Sequence, residues 1–215
     1  MPVPWNDDDP RDLAVIEQNL GRVLRRIVER ALYRETPSVE MAQAWHRRIY
    51  RNVPLPVPYY AGGIRGIDPD LPELVSYEVA VGGSPGVPSR YVSGELLRLE
   101  RFLGQAVGRL DPRIPASERP TEPGEIHSVL TLCAISHGEW VRIHPFANGN
   151  GKTARLWANW CALRYGLPPF VRLRPRPAGD AYALAAADSM HGDHRAMAIV
   201  FLDLLTSHLL EHDRG

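Results

Sequence analysis

The run HPFANGNGKTAR, His144 to Arg155, constrains the chain more than any other stretch, because it must bring a histidine, a glycine-rich turn and a helix start to one point. Gly149 and Gly151 flank Asn150 and let the backbone turn its N–H groups inward, and a helix opening near Lys152 adds the positive end of its dipole. The result is a base beside an anion cradle, and phosphate is the anion it suits. The ending Gly151-Lys152-Thr153 invites a P-loop reading, which fails on spacing. The glycine required five residues before Gly151 is replaced by Phe146, and the segment before it has helical rather than strand periodicity.

Around this run the hydrophobic pattern is mostly helical. Over residues 10 to 34, Leu13, Ile16, Leu20, Val23, Leu24, Ile27 and Ala31 fall on one stripe, with Pro10 at the first turn. Ser38 caps a second helix to about Tyr50, after which NVPLPVPYYAGGIRG carries too much Pro and Gly to continue. Val79 and Val81 form short β-prone runs broken by Gly82-Gly83 and Ser84-Pro85-Gly86, the pattern of a hairpin. Helices follow from about Ser93 to Leu110 and from about Pro123 toward His144, so the run lies between two helices, the second of which stops at Gly166.

The chain of 215 residues, 44% apolar, supports a core and reads as one globular domain. Its formal charge balances at zero, which argues against DNA, RNA or an anionic membrane as main partner. The acidic start MPVPWNDDDPRD lacks a signal-peptide core, and no apolar run is long enough for a membrane span. Cys133 and Cys161 sit among apolar residues at helical spacing, the setting of buried reduced thiols, which points to the cytoplasm. Neither the pair His191 and His194 nor the pair His208 and His212 comes with an obvious third metal ligand.

From about Val39 onward the chain resembles the Fic (Fido) family, whose signature is HxFx(D/E)GNGRxxR. His144, Phe146, Gly149, Asn150, Gly151 and Arg155 match it, while Asn148 stands where the family has a carboxylate and Lys152 where it has arginine. Upstream, GGIRGIDPDLPELVSYEVAVGGSPGVPSRYVSGEL is similar to the family's Tyr-Arg-Gly-type lead-in and target-docking flap. Downstream, AYALAAADSMHGDHRAMAIVFLDLL resembles its C-terminal helices.

The resemblance implies an all-α helical bundle with a small β-hairpin flap at about 76–88. The Fic domain would cover 38–215, behind an N-terminal helical extension over 1–37. It implies transfer of AMP from ATP to a Ser, Thr or Tyr hydroxyl of a target protein. His144, with an ordinary pKa of about 6.5, is the general base. Gly149, Asn150 and Gly151 hold the α- and β-phosphates, with Thr153 in the same nucleotide-binding stretch, and Lys152 and Arg155 bind the outer phosphates. Asn148 stands at the Mg2+ position, where an amide supplies a dipole without a charge, and Lys152 lacks the planar fork of arginine. Val81, Gly82, Gly83 and Ser84 of the flap pair with the target, and Tyr182 flanks the nucleobase.

Two further activities stay open: a degenerate module that binds nucleotide or a partner without efficient transfer, and a transferase using another phosphate-containing donor. Restraint in the family comes from a separate antitoxin or from a glutamate in (S/T)xxxE(G/N). Ser207 to Glu211 fits that spacing and would pair Glu211 with Arg155, although the same spacing recurs at Thr36 to Glu40 and Thr121 to Glu125. A homodimer is common in the family.

Overall fold

The computed structural model describes residues 3–31, 33–66, 68–116 and 118–212. Two of its helices are buried almost all round, α5 (Pro123–Ile143) and α6 (Asn150–Arg164), as their lack of a polar face requires. They pack against each other, and the loop joining them holds the motif at the centre of the fold. The amphipathic helices lie outside this pair. α1 (Leu13–Ala31) packs on α2 (Val39–Ile49) and α6, and α4 (Ser89–Leu110) packs on α5. α7 (Asp180–Met190) and α8 (Arg195–His212) close the other side of α5. A four-residue helix, α3 (Pro72–Val75), precedes the hairpin, and among the described residues the only sheet is β1 (Ala80–Val81) paired antiparallel with β2 (Ser84–Pro85). An all-α fold with a small hairpin is therefore observed, and no helix of the described residues is long and apolar enough to cross a membrane.

Local signals set most element ends. Ser38 caps α2, its hydroxyl accepting from the Met41 N–H at 3.2 Å. Gly82 and Gly83 both adopt positive φ, 55° and 88°, which a two-residue hairpin turn requires. Two starts differ from expectation. α4 begins at Ser89 rather than Ser93, because the Glu78 carboxylate accepts from both the Ser89 N–H (3.0 Å) and its hydroxyl (2.7 Å). α6 begins at Asn150 rather than Lys152: Gly149 alone takes the left-handed conformation, φ 75°, and Gly151 is already helical.

An aromatic cluster supports the loop from below. Phe146 is fully buried, stacks on the His46 ring at 3.9 Å between centroids and touches Trp140 at 5.5 Å. Trp157 continues the cluster to Trp140 and Trp45. Truncating a buried tryptophan of this kind costs about 3–5 kcal/mol, so the loop rests on a rigid floor. Cys133 and Cys161 are buried and unbridged in the same interior.

Candidate active site

His144 ends α5 in a left-handed conformation, φ 52° and ψ 57°, with its N–H bonded to the Trp140 carbonyl. This turn brings Nδ1 to 3.1 Å from the Val141 carbonyl. A carbonyl only accepts, so Nδ1 carries the proton and Nε2 keeps a bare lone pair. Burial, with the Arg65 guanidinium nearby, pushes the imidazole pKa down to about 4 against the pull of the Val141 bond and of Asp7. The ring is thus neutral, with Nε2 unprotonated, through the whole neutral range.

Arg65 fixes this histidine's surroundings. It is fully buried, and its guanidinium donates to the carbonyls of His144 (2.6 Å), Ile143 (2.8 Å), Tyr77 (3.1 Å) and Val87, while its own N–H meets the Pro145 carbonyl at 2.9 Å. One side chain thereby ties both ends of the hairpin region to the end of α5. Gly86 allows the approach: a Cβ there would lie 3.4 Å from His144 Cβ and 2.7 Å from a Val79 methyl. The sequence placed Arg65 only within a lead-in segment. Its signal is an arginine between glycines in an otherwise apolar loop, GGIRG.

The loop is cross-braced by its own amides. Asn150 Oδ1 accepts from the Phe146 N–H at 3.0 Å and Nδ2 donates to the Phe146 carbonyl at 2.9 Å, so both ends of this buried amide are spent on loop shape. Gly149 has no room for a side chain, since a Cβ would fall 2.3 Å from Tyr50 Oη and 2.8 Å from His46 Nε2. His46, absent from the sequence reading, donates from Nε2 to the Asn148 carbonyl at 3.0 Å and accepts from the Gly62 N–H at Nδ1. Its signal was positional: Ala42, Trp45, His46 and Ile49 share the buried stripe of α2. The Thr153 hydroxyl bonds back to the Gly149 carbonyl. The backbone N–H groups of Asn150, Gly151 and Lys152, in the first turn of α6, have no acceptor among the described residues.

At the other end of the loop, Lys152 is 5% exposed and its ammonium lies 2.6 Å from the Asp7 carboxylate and 3.3 Å from Asp8. Tyr50 donates its hydroxyl to the same Asp7 oxygen at 2.5 Å. Asn148 turns toward this N-terminal segment too: Nδ2 donates to the Trp5 carbonyl at 2.8 Å, while Oδ1 accepts from the Gly149 N–H at 2.8 Å. Arg155 is buried beside Gly151 and donates from Nε to the Leu173 carbonyl at 3.0 Å. Tyr182 is buried near the Arg155 guanidinium, its hydroxyl 2.7 Å from His137 Nε2. Gly86 of the hairpin region thus lies beside His144, and Gly151 beside Arg155, while Val81 to Ser84 form the hairpin's turn, with Gly82 and Gly83 exposed. Glu211 is exposed near the end of α8, and no ion pair joins it to Arg155 among the described residues.

Similarities to known proteins agree with this geometry. Residues 36–162 match the model of the Fic/DOC family. The chain is 41% identical over 71 residues to "Protein adenylyltransferase Fic" of Nematostella vectensis, which covers 33% of this chain and 16% of that protein. It is 35% identical over 71 residues to "Uridine 5'-monophosphate transferase" of Xanthomonas campestris pv. campestris (strain 8004), covering 33% and 12%. The chain thus aligns with less than a fifth of the length of either relative. In three dimensions it matches Fic-1 (aa134 - 508) from C. elegans with a TM-score of 0.64 at 21% identity, over 98% of this chain and 53% of that one. A histidine-tipped helix, a braced GNG turn and a family match spanning both place the chain in the Fic/DOC family.

Proposed function

We propose that the protein transfers AMP from ATP to a hydroxyl side chain of a protein segment docked on the hairpin. The reading rests above all on the His144 ring, whose Nδ1 is committed to the Val141 carbonyl and whose Nε2 is bare and neutral at the mouth of the loop. In the reaction, Nε2 takes the hydroxyl proton, the freed oxygen attacks the α-phosphorus of ATP, and the bond to the β-phosphate oxygen breaks to release pyrophosphate. A positioned general base contributes on the order of 10² to 10⁴ in rate when its pKa lies near the working pH, and the negative charge of a bound triphosphate raises that of His144 toward it. The free first-turn N–H groups of α6 receive phosphate oxygens, and the cations Lys152 and Arg155 flank them. Two-residue strands with open edges at Ala80–Val81 and Ser84–Pro85 allow a target strand to add.

Magnesium does not fit the donors as arranged. Asn148 is neutral with both amide atoms engaged, Asp7 is paired with Lys152, and no cluster of three His, Cys, Asp or Glu side chains forms among the described residues. The similarity to the Xanthomonas uridine 5'-monophosphate transferase keeps UTP as a second donor.

The test is incubation of the protein and cell lysate with α-labelled ATP, γ-labelled ATP and α-labelled UTP, beside His144→Ala. Label on protein from α-labelled ATP that disappears in His144→Ala is the expected result. Label from γ-labelled ATP alone means phosphoryl transfer, label from UTP alone means the other donor, and none means a binding module. Each of these three overturns AMP transfer.

A further inference from the structure

The segment before α1 contacts the motif at Asn148 and Lys152 and, around it, Tyr50, Tyr60 and Arg174. Val3 exchanges hydrogen bonds with the Tyr60 hydroxyl, the Trp5 carbonyl accepts from Asn148, and Asp7 binds Lys152 and Tyr50. Asp8 binds Arg174 at 2.7 Å. The Trp5 ring is buried edge-on against Tyr50, with 4.6 Å between centroids. Asp7, 7% exposed, is a carboxylate whose one oxygen is held between the Lys152 ammonium and the Tyr50 hydroxyl, the two donors that an oxygen of a phosphate would take in its place.

We propose that residues Val3 to Asp8 form a removable strap whose Asp7 carboxylate occupies the anion position at Lys152, so that a phosphate-bearing ligand enters by displacing it. The proposal rests on the reading of the loop as a phosphate cradle. A buried ammonium stripped of its only close, buried counterion is costly, so the strap leaves when another anion takes its place. Strap closure and anion binding then compete for Lys152, and each weakens the other by the same factor. Neutral Asn148 adds no competing charge and instead fastens the strap through Trp5.

Two measurements test this with ATP and with inorganic tripolyphosphate as probes. The first is hydrogen exchange of the backbone amides of Trp5 to Asp8 in the unaltered protein, with and without each probe. The second is calorimetric affinity of Asp7→Asn against the unaltered protein. Faster exchange in the strap on adding either probe is expected. Asp7→Asn should bind about tenfold more tightly, the gain when the open form rises from about a tenth of the molecules to nearly all. If ATP binds while strap exchange stays unchanged and Asp7→Asn is no tighter, the strap is overturned and the cradle stands. If neither probe binds either protein, the cradle itself is overturned and the strap with it. The exchange arm decides alone if Asp7→Asn fails to fold.

Discussion

At the His144 end of the loop the reactive atom is bare: Nε2 carries no proton, and the carbonyls around it are gathered by Arg65 into one fixed shape. At the Lys152 end the reactive group is already engaged, its ammonium paired with Asp7 from a segment more than a hundred residues earlier. Both ends belong to twelve consecutive residues, so local sequence alone does not account for the difference. It comes from what the rest of the chain lays against each end. A clamp of backbone acceptors orders the base without occupying it, whereas a carboxylate orders the lysine by occupying it. In the proposed reaction the proton-accepting half of the site stands unoccupied, and the anion-binding half has first to be opened.

Removing the clamp breaks the comparison most severely. Arg65→Met leaves the carbonyl of buried Ile143 and those of half-buried His144, Tyr77 and Val87 without this donor, each worth up to about 1–3 kcal/mol where it stays unsatisfied, with relief from water and relaxation. A loss of about 3–5 kcal/mol in urea unfolding is expected, together with loss of transfer because hairpin and His144 come apart. A loss below about 1 kcal/mol would mean that Arg65 does not organise the base end.

Acid sharpens the same contrast. Burial holds the His46 and His137 pKa values down to about 3 and that of His144 to about 4, while in the unfolded chain all three return to about 6.5. Between these values the unfolded state binds more protons, so stability is fully present above about pH 6.5 and is lost as pH falls toward 4. Each histidine contributes about 1 kcal/mol of loss between pH 6.5 and 5.5. Urea midpoints measured at those two pH values should fall accordingly, and a flat midpoint would count against all three being buried and neutral.

The smallest expected effect comes from the other end. Asn148→Asp keeps the acceptor for the Gly149 N–H but turns a carboxylate toward the Trp5 carbonyl, losing a donor for about 1–2 kcal/mol. Faster hydrogen exchange confined to Trp5 through Asp8 is the expected signature. Unchanged exchange there would detach Asn148 from the strap.

How much of this was legible in the sequence follows from how local each cause is. Ser38 capping α2, the double-glycine turn and the His144-to-Arg155 loop between helices were readable because each is set within a few residues. The start of α4 was misplaced because its cap is Glu78, eleven positions before Ser89 and across the hairpin. The occupied state of Lys152 was out of reach for the same reason: Asp7 is one of four aspartates in the acidic start MPVPWNDDDPRD, and only tertiary packing selects it. The pattern holds Asn150 to a similar lesson. A residue in a phosphate-binding signature need not face the phosphate, and its amide here closes a ring with Phe146.

The readiness of His144 can be observed directly by nitrogen-15 NMR of its imidazole in the free protein across a pH series. The expected spectrum has the proton on Nδ1 and a bare Nε2 from neutral pH down to about pH 5, with titration near 4. A proton on Nε2, or titration near the ordinary value of about 6.5, would contradict the assignment of this histidine as a base held ready for transfer.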